Sequence, residues 1–477
     1  MGFWINHMKI QCFSLLLVLL CFNTSVNGST RSYDKNLSVS YYADDGVLIH
    51  SNLVLKNNHK NAPTAILFHM AGSNSMGEYT GFSHELADQG YHVLAVDTRA
   101  GGGKFNQINK TVQHNSSLEN SGYCEATPDV EASIRYVREH VSKGPVILVG
   151  SSFSGALVMN AAAKYKDLVS GFVAFSPASG PPMDGCEPEE ALAFEIEGMV
   201  ILPDSELEYG WINQQYMLFK EHGIKTMTVE GGIHGVSTVI DDRINRDVSS
   251  LRAHIFDLMK NMITDKEKKV VFSVDDWEIV TYERSALGSK MAILFNQAAG
   301  DSKQYLSTSR KLAEANITAL RVDLRGHGES NNLGIFDPRI EDSKTMLFES
   351  HNEMIQIFQY VTKKLGYESR DIYVFSASYS SDEVVKSQKM LNLDVNHFAF
   401  SPGSLSSDSV LFISQSNHLV SVIKSQNERK FFANMFQEIG TIAPNVSQKI
   451  IDGSGHGVGI LEQNPKFINE IIALINL

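Results

Sequence analysis

The sequence predicts an α/β architecture of two tandem units, each a mostly parallel sheet flanked by helices. Three observations lead there. First, the chain repeats itself once. AILFHMAGSN (Ala65 to Asn74) and HVLAVDTRAGGG (His92 to Gly103) return as AILFNQAAGD (Ala292 to Asp301) and TALRVDLRGHGES (Thr318 to Ser330). Asp97 and Asp323 stand as far apart as Ser152 and Ser378 (323 − 97 and 378 − 152 both give 226). Second, short apolar β-rich runs alternate with amphipathic helical stretches, the pattern of parallel strands covered on both faces. Third, PVILVGSSFSGALVMNAAAKY (Pro145 to Tyr165) runs from a buried strand through small residues into a helix of strong helix formers.

Taken in order, Met1 to Gly28 reads as a targeting segment. Lys9 supplies positive charge, Phe13 to Phe22 a short apolar core, and Asn23 to Gly28 a polar stretch for cleavage. That core is short for a membrane span, so the expectation is a cleaved signal peptide (1–28), a secreted or periplasmic protein, and no span after removal. The first unit is expected over 29–262 and the second over 263–477, joined by the charged stretch near Asn261 to Lys269 (NMITDKEKK). Each opens with a two-sided strand pair, Leu37 to Lys56 and Val270 to Glu283.

Charge and cysteines narrow the partners. With 41 basic and 54 acidic residues, net −13, and no Lys/Arg run, nucleic-acid binding is excluded as a role. Cys12 and Cys21 leave with the signal, and Cys124 and Cys186 remain, in loops placed at the rim of a pocket. In an oxidising compartment these two either pair or stand as two thiols. No ligand cluster for a metal and no C-x-x-C redox pair is present.

The chemistry centres on Ser152. Strand, tight turn of small residues and helix form the setting of a nucleophile elbow, which lifts its apex residue clear of the sheet. VGSSFSG departs from G-x-S-x-G at its end, where Ser154 replaces the second glycine. A serine hydroxyl needs a base held by a carboxylate, in the chain order Ser, acid, His. The strand GMVILP (Gly198 to Pro203) ends in DSE, so Glu206 is the expected acid, with Asp204 in reserve. TMTVEG (Thr226 to Gly231) leads to GIHG and the expected base, His234. Backbone N–H groups of Phe153 and of Met70 or Ala71 are the expected oxyanion hole. The polar insertion Phe105 to Thr127 and the loop Pro177 to Glu197 are expected to border the pocket.

FHMAGSN, VDTRAGGG, VGSSFSG, FSPAS and GIHG, with FNQAAGD, VDLRGHGES, FSASYSS and GSGHG in the second copy, resemble the α/β-hydrolase superfamily twice over. The likeness is to its dienelactone hydrolase and esterase-like branch and covers nearly all of the mature chain. It implies two tandem α/β-hydrolase domains and a serine nucleophile at Ser152, with acid Glu206 and base His234, and no cofactor.

In the second copy Ser378 and His456 fill the nucleophile and base positions, but the elbow lacks both glycines. VLFIS (Val410 to Ser414) is expected as the strand before the acid, which places Asn417 or Gln415 at the acid position. A neutral amide orients an imidazole without stabilising its charged form, so this copy is expected to be impaired. The whole then reads as an exported serine hydrolase acting on small carboxylic esters through an acyl-serine. A peptidase or acyltransferase on the same residues is the alternative, and a non-catalytic hydrolase-fold binding protein is a third reading. Oligomeric state is not set by the sequence.

Overall fold

The computed structural model describes residues 35–56, 59–118, 120–403, 405–428 and 430–477. The expected signal peptide lies outside the described residues. The first sheet holds β1 (Lys35–Tyr42), β2 (Leu48–Leu55), β3 (Thr64–Phe68), β4 (His92–Asp97), β5 (Val146–Ser151), β6 (Gly171–Phe175), β7 (Gly198–Pro203) and β8 (Lys225–Val229), in the order β1-β2-β4-β3-β5-β6-β7-β8. β1 and β2 are antiparallel, β2 runs antiparallel to β4, and every pairing from β4 to β8 is parallel.

The second sheet repeats this. β9 (Lys268–Val274), β10 (Trp277–Arg284), β11 (Lys290–Phe295), β12 (Ile317–Val322), β13 (Ile372–Ala377), β14 (Asn396–Phe400), β15 (Val420–Ser425) and β16 (Ser447–Ile451) stand in the order β9-β10-β12-β11-β13-β14-β15-β16. Two tandem α/β units with mostly parallel sheets are therefore present.

The continuous apolar runs have the cause the sequence suggests. Side chains alternate across a strand, and both faces are covered. Ile66, Phe68, Leu94, Val96 and Leu148 enter one core, while Ala65, Leu67, Val93, Ala95, Ile147 and Val149 enter the other. The helix Ser249–Thr264 closes the second face with Ile255, Phe256, Met259, Met262 and Ile263, a helical stripe. It runs two residues past the expected end of the first unit, because Met262 and Ile263 are core residues.

The repeated VD and R of β4 and β12 are structural. Asp97 accepts from Ser75 N (2.7 Å) and Lys110 N (2.8 Å), and Asp323 from Ser302 N (2.6 Å) and Glu329 N (3.0 Å). Each carboxylate thus pins the loops around the sheet's carboxyl edge. Arg99 binds Asp129 and Asp45, and Arg325 binds Glu353 and Asp275, tying the first strand turn to a helix in both units.

The described residues form one compact unit. Leu287, from the second unit, is buried in the first unit's core, and its carbonyl lies where a Cβ on Gly90 would stand (2.2 Å). Only glycine fits there. Lys60 N to Leu365 O (3.0 Å), Arg284 Nη1 to Thr264 O (2.6 Å) and the tilted pair of His59 and Tyr367 rings (centroids 4.5 Å apart) extend the seam.

Candidate active site

Ser152 sits at the apex between β5 and the helix Phe153–Lys164 with φ 60° and ψ −123°. A non-glycine residue there costs roughly 1–3 kcal/mol and persists only when its surroundings hold it. Three bonds do so. Ser152 N donates to Phe175 O (2.8 Å), and Ser152 O accepts from Gly155 N (2.8 Å) and Ala178 N (3.1 Å). The departure at Ser154 is accommodated, since its buried hydroxyl donates to His69 O (2.7 Å). Gly150 is required by close approach, as a Cβ would meet Ser154 O at 2.3 Å. The helix N-terminus behind Ser152 favours negative charge there.

Glu206 lies in the turn Asp204–Glu208 after β7, and His234 in the loop after β8. Glu206 Oε1 is 2.6 Å from His234 Nδ1, with side chains 13% and 52% exposed. This bond puts the proton on Nδ1 and leaves Nε2 as the basic nitrogen. Ser176 is a site residue that the sequence reading missed. Its hydroxyl donates to Glu206 Oε1 (3.1 Å) and accepts from Gly235 N (3.0 Å), joining acid to histidine loop. The recurrence of FSP was its available signal. Asp204 is elsewhere, exposed and accepting from Gly231 N (3.0 Å) and Ser205 N (2.9 Å).

The histidine loop rests on the elbow through Val236 N to Ser151 Oγ (3.1 Å). Among the described residues no hydrogen bond joins Ser152 Oγ to His234; such contacts commonly tighten only when substrate binds. Of the two expected donors after β3, Met70 N–H is engaged by buried Glu78 Oε2 (3.1 Å). Ala71 N–H and Phe153 N–H remain as the candidate pair.

Cys124 and Cys186 form a disulfide that joins the Phe105–Thr127 insertion to the loop after β6. Beside it the Tyr123 ring stacks on Phe153 at 5.0 Å, so the insertion bears directly on the residue after Ser152.

The second copy requires a correction. VLFIS is not a strand but lies in the helix Ser407–Ser414, inside a connection between β14 and β15 longer than expected. The run was short, apolar and capped by Ser406, whose hydroxyl accepts from Ser409 N (3.2 Å), a helix start. Asn417 and Gln415 consequently precede β15, at its amino end, and Asn417 N is tied to Asp394 Oδ2 (2.9 Å). The residue beside His456 is Glu428, whose Oε1 is 3.2 Å from Nδ1. Ser401 donates to Glu428 Oε2 (2.5 Å) and accepts from Gly457 N (3.0 Å), as Ser176 does in the first unit. Ser378, with φ 57°, is held by Phe400 O (3.0 Å) and Gly403 N (2.9 Å). Glu206 to His234 and Glu428 to His456 are both 28 residues apart, a spacing that would have found the acid.

Among the described residues no cluster of three His, Cys, Asp or Glu is placed to hold a metal, and no helix is long and apolar enough to cross a membrane.

Residues 64–199 match the family model for the alpha/beta hydrolase fold. Similar solved structures include a predicted CIB-like hydrolase from Thermoplasma acidophilum (16% identity, 44% of this chain and 99% of that one, TM-score 0.35). An esterase from Pyrococcus furiosus (15%, 48% and 91%, TM-score 0.36) and one from Pyrobaculum calidifontis (18%, 47% and 85%, TM-score 0.34) are similar too. No curated protein matches the sequence. The family match runs from β3 to the start of β7 and gives the first unit the alpha/beta hydrolase fold, and the second sheet repeats its strand order.

Proposed function

We propose that the first unit is a serine hydrolase that cleaves carboxylic esters through an acyl-serine. One observation carries this: a serine held at φ 60° on the strand–helix apex shares the sheet's carboxyl edge with a carboxylate–imidazole pair at 2.6 Å. Ser152 Oγ attacks the ester carbonyl carbon while His234 Nε2 takes its proton. Glu206 holds the ring and stabilises its charge. The N–H groups of Ala71 and Phe153 stabilise the oxyanion, and the proton passes to the leaving alkoxide as the C–O bond breaks. Water, activated by His234, then releases the acid and restores Ser152.

The same reading makes the chain an exported protein, from the apolar run near its start. The Cys124–Cys186 disulfide supports this, since such bonds persist in oxidising compartments. The test is fluorophosphonate labelling of the purified protein, with Ser152→Ala beside it. An adduct on Ser152, and its loss together with first-site turnover in the variant at unchanged melting temperature, is the expected result. A folded protein that never labels at Ser152 refutes it.

A further inference from the structure

The second unit, expected from sequence to be impaired, holds a serine, a carboxylate and an imidazole at the corresponding positions. Ser378 stands on a strained apex, and Glu428 is more buried than its counterpart, 2% against 13% exposed. Its two oxygens serve two partners, His456 and Ser401, whereas in the first unit both partners use Glu206 Oε1. A carboxylate desolvated and fixed in this way is well placed to hold the imidazole. Tyr379 N–H follows the serine as Phe153 N–H does. Gln297, the counterpart of Met70, accepts from Val458 N (3.0 Å) and braces the histidine loop against the strand end.

What differs is the wall beside the serine. In the first unit the elbow is flanked by the polar, disulfide-tied insertion, through Tyr123 on Phe153. In the second the counterpart of Gly101 is His327, which stacks between Tyr379 (6.1 Å) and Phe336 (5.1 Å). This row of rings leads from the residue after Ser378 into a loop that leaves Leu333 and Ile335 53% and 71% exposed. Leu333 and Ile335 are thus two exposed apolar side chains on the loop that also carries Phe336.

We propose that the second unit is an independent esterase site, and that it takes esters with longer apolar acyl chains, laid against the exposed Leu333–Ile335 loop, which the buried His327–Phe336 pair supports. Ser378 Oγ bonds to the carbonyl carbon, and its proton moves through His456 Nε2 to the alkoxide that leaves. Water reverses the transfer and gives the carboxylic acid and free Ser378.

The experiment uses the full chain as Ser152→Ala, Ser378→Ala and the double variant, with p-nitrophenyl acetate and p-nitrophenyl octanoate. Ser152→Ala is expected to keep octanoate hydrolysis and to take a fluorophosphonate on Ser378, and the double variant to fall to background. Leu333→Asn with Ile335→Asn, placed in Ser152→Ala, should lower kcat/KM for octanoate about tenfold or more, and by more than it lowers kcat/KM for acetate. If folded Ser152→Ala neither labels at Ser378 nor turns over either ester, the second site is refuted. If the loop changes leave octanoate untouched, the apolar assignment is refuted. Ser378→Ala reports the first site alone, so failure of one site is read separately from failure of the other.

Discussion

Glu428 and His456 stand in the second unit as Glu206 and His234 stand in the first, each carboxylate also receiving a serine hydroxyl that in turn accepts the backbone N–H after the histidine. The serines, Ser176 and Ser401, both have positive φ, 45° and 43°. The constellation is therefore four residues deep in both copies, and the acid is placed by the strand before it as well as by its own turn.

Glu206→Gln should lower first-site kcat by about ten-thousandfold, because the amide no longer stabilises the imidazolium. Asp204→Asn should leave kcat within about twofold, since Asp204 caps Gly231 N and Ser205 N instead. Both are measured in a Ser378→Ala background with melting temperature as control. Equal losses in the two variants would return the acid role to Asp204.

Ala71→Pro removes one N–H without touching serine, acid or histidine. Loss of one oxyanion donor costs about 10²–10³ in kcat, with fluorophosphonate labelling of Ser152 slowed in parallel. An unchanged kcat would move the donor to Met70 and require Glu78 to release it.

Reduction of Cys124–Cys186, or its replacement by two serines, should destabilise the first unit. The bond closes a separation of 62 residues, and native disulfides of this kind contribute roughly 2–5 kcal/mol. Urea unfolding with and without reductant reads it. Activity should fall as well, because Tyr123 rests on Phe153. Identical midpoints would mean that the loops hold themselves.

Acid should weaken the fold through its buried histidines. His397 is buried against Ser376 Oγ (2.6 Å), and burial pulls its imidazole down from 6.5 to about 4. Burial lowers His92 and His59 to about 4 too. The unfolded chain takes up protons first as pH falls, so stability is full above about 6.5 and drains away toward pH 4. Each shift is worth about 3 kcal/mol at most. Melting curves from pH 7.5 to 4.5 should descend, and His397→Gln should descend less steeply. A flat profile in the parent protein would refute it.

Much of this was open to reading because it is periodic or local. The repeat, the buried strands and the strand–turn–helix at Ser152 are patterns in neighbouring residues, and parallel sheets enforce them. The place of Glu206 beside His234 was legible because GMVILP forms its strand where apolarity says it should. Glu428 was not, since VLFIS is as apolar as a strand and only its Ser406 cap marks it as a helix; the true strand, VSVIKS, carries a lysine and two serines. Short apolar runs do not separate the two structures by composition. Ser176 and Ser401 escaped because their role depends on a fold-wide meeting of three loops.

Leu287 has one more consequence. Its side chain fills the neighbouring unit's core, so cutting the chain near Asp265 would leave a hole in one half and a bare leucine on the other. Neither half is a detachable cassette. Wherever the polypeptide travels, Ser152 and Ser378 arrive in a fixed one-to-one ratio.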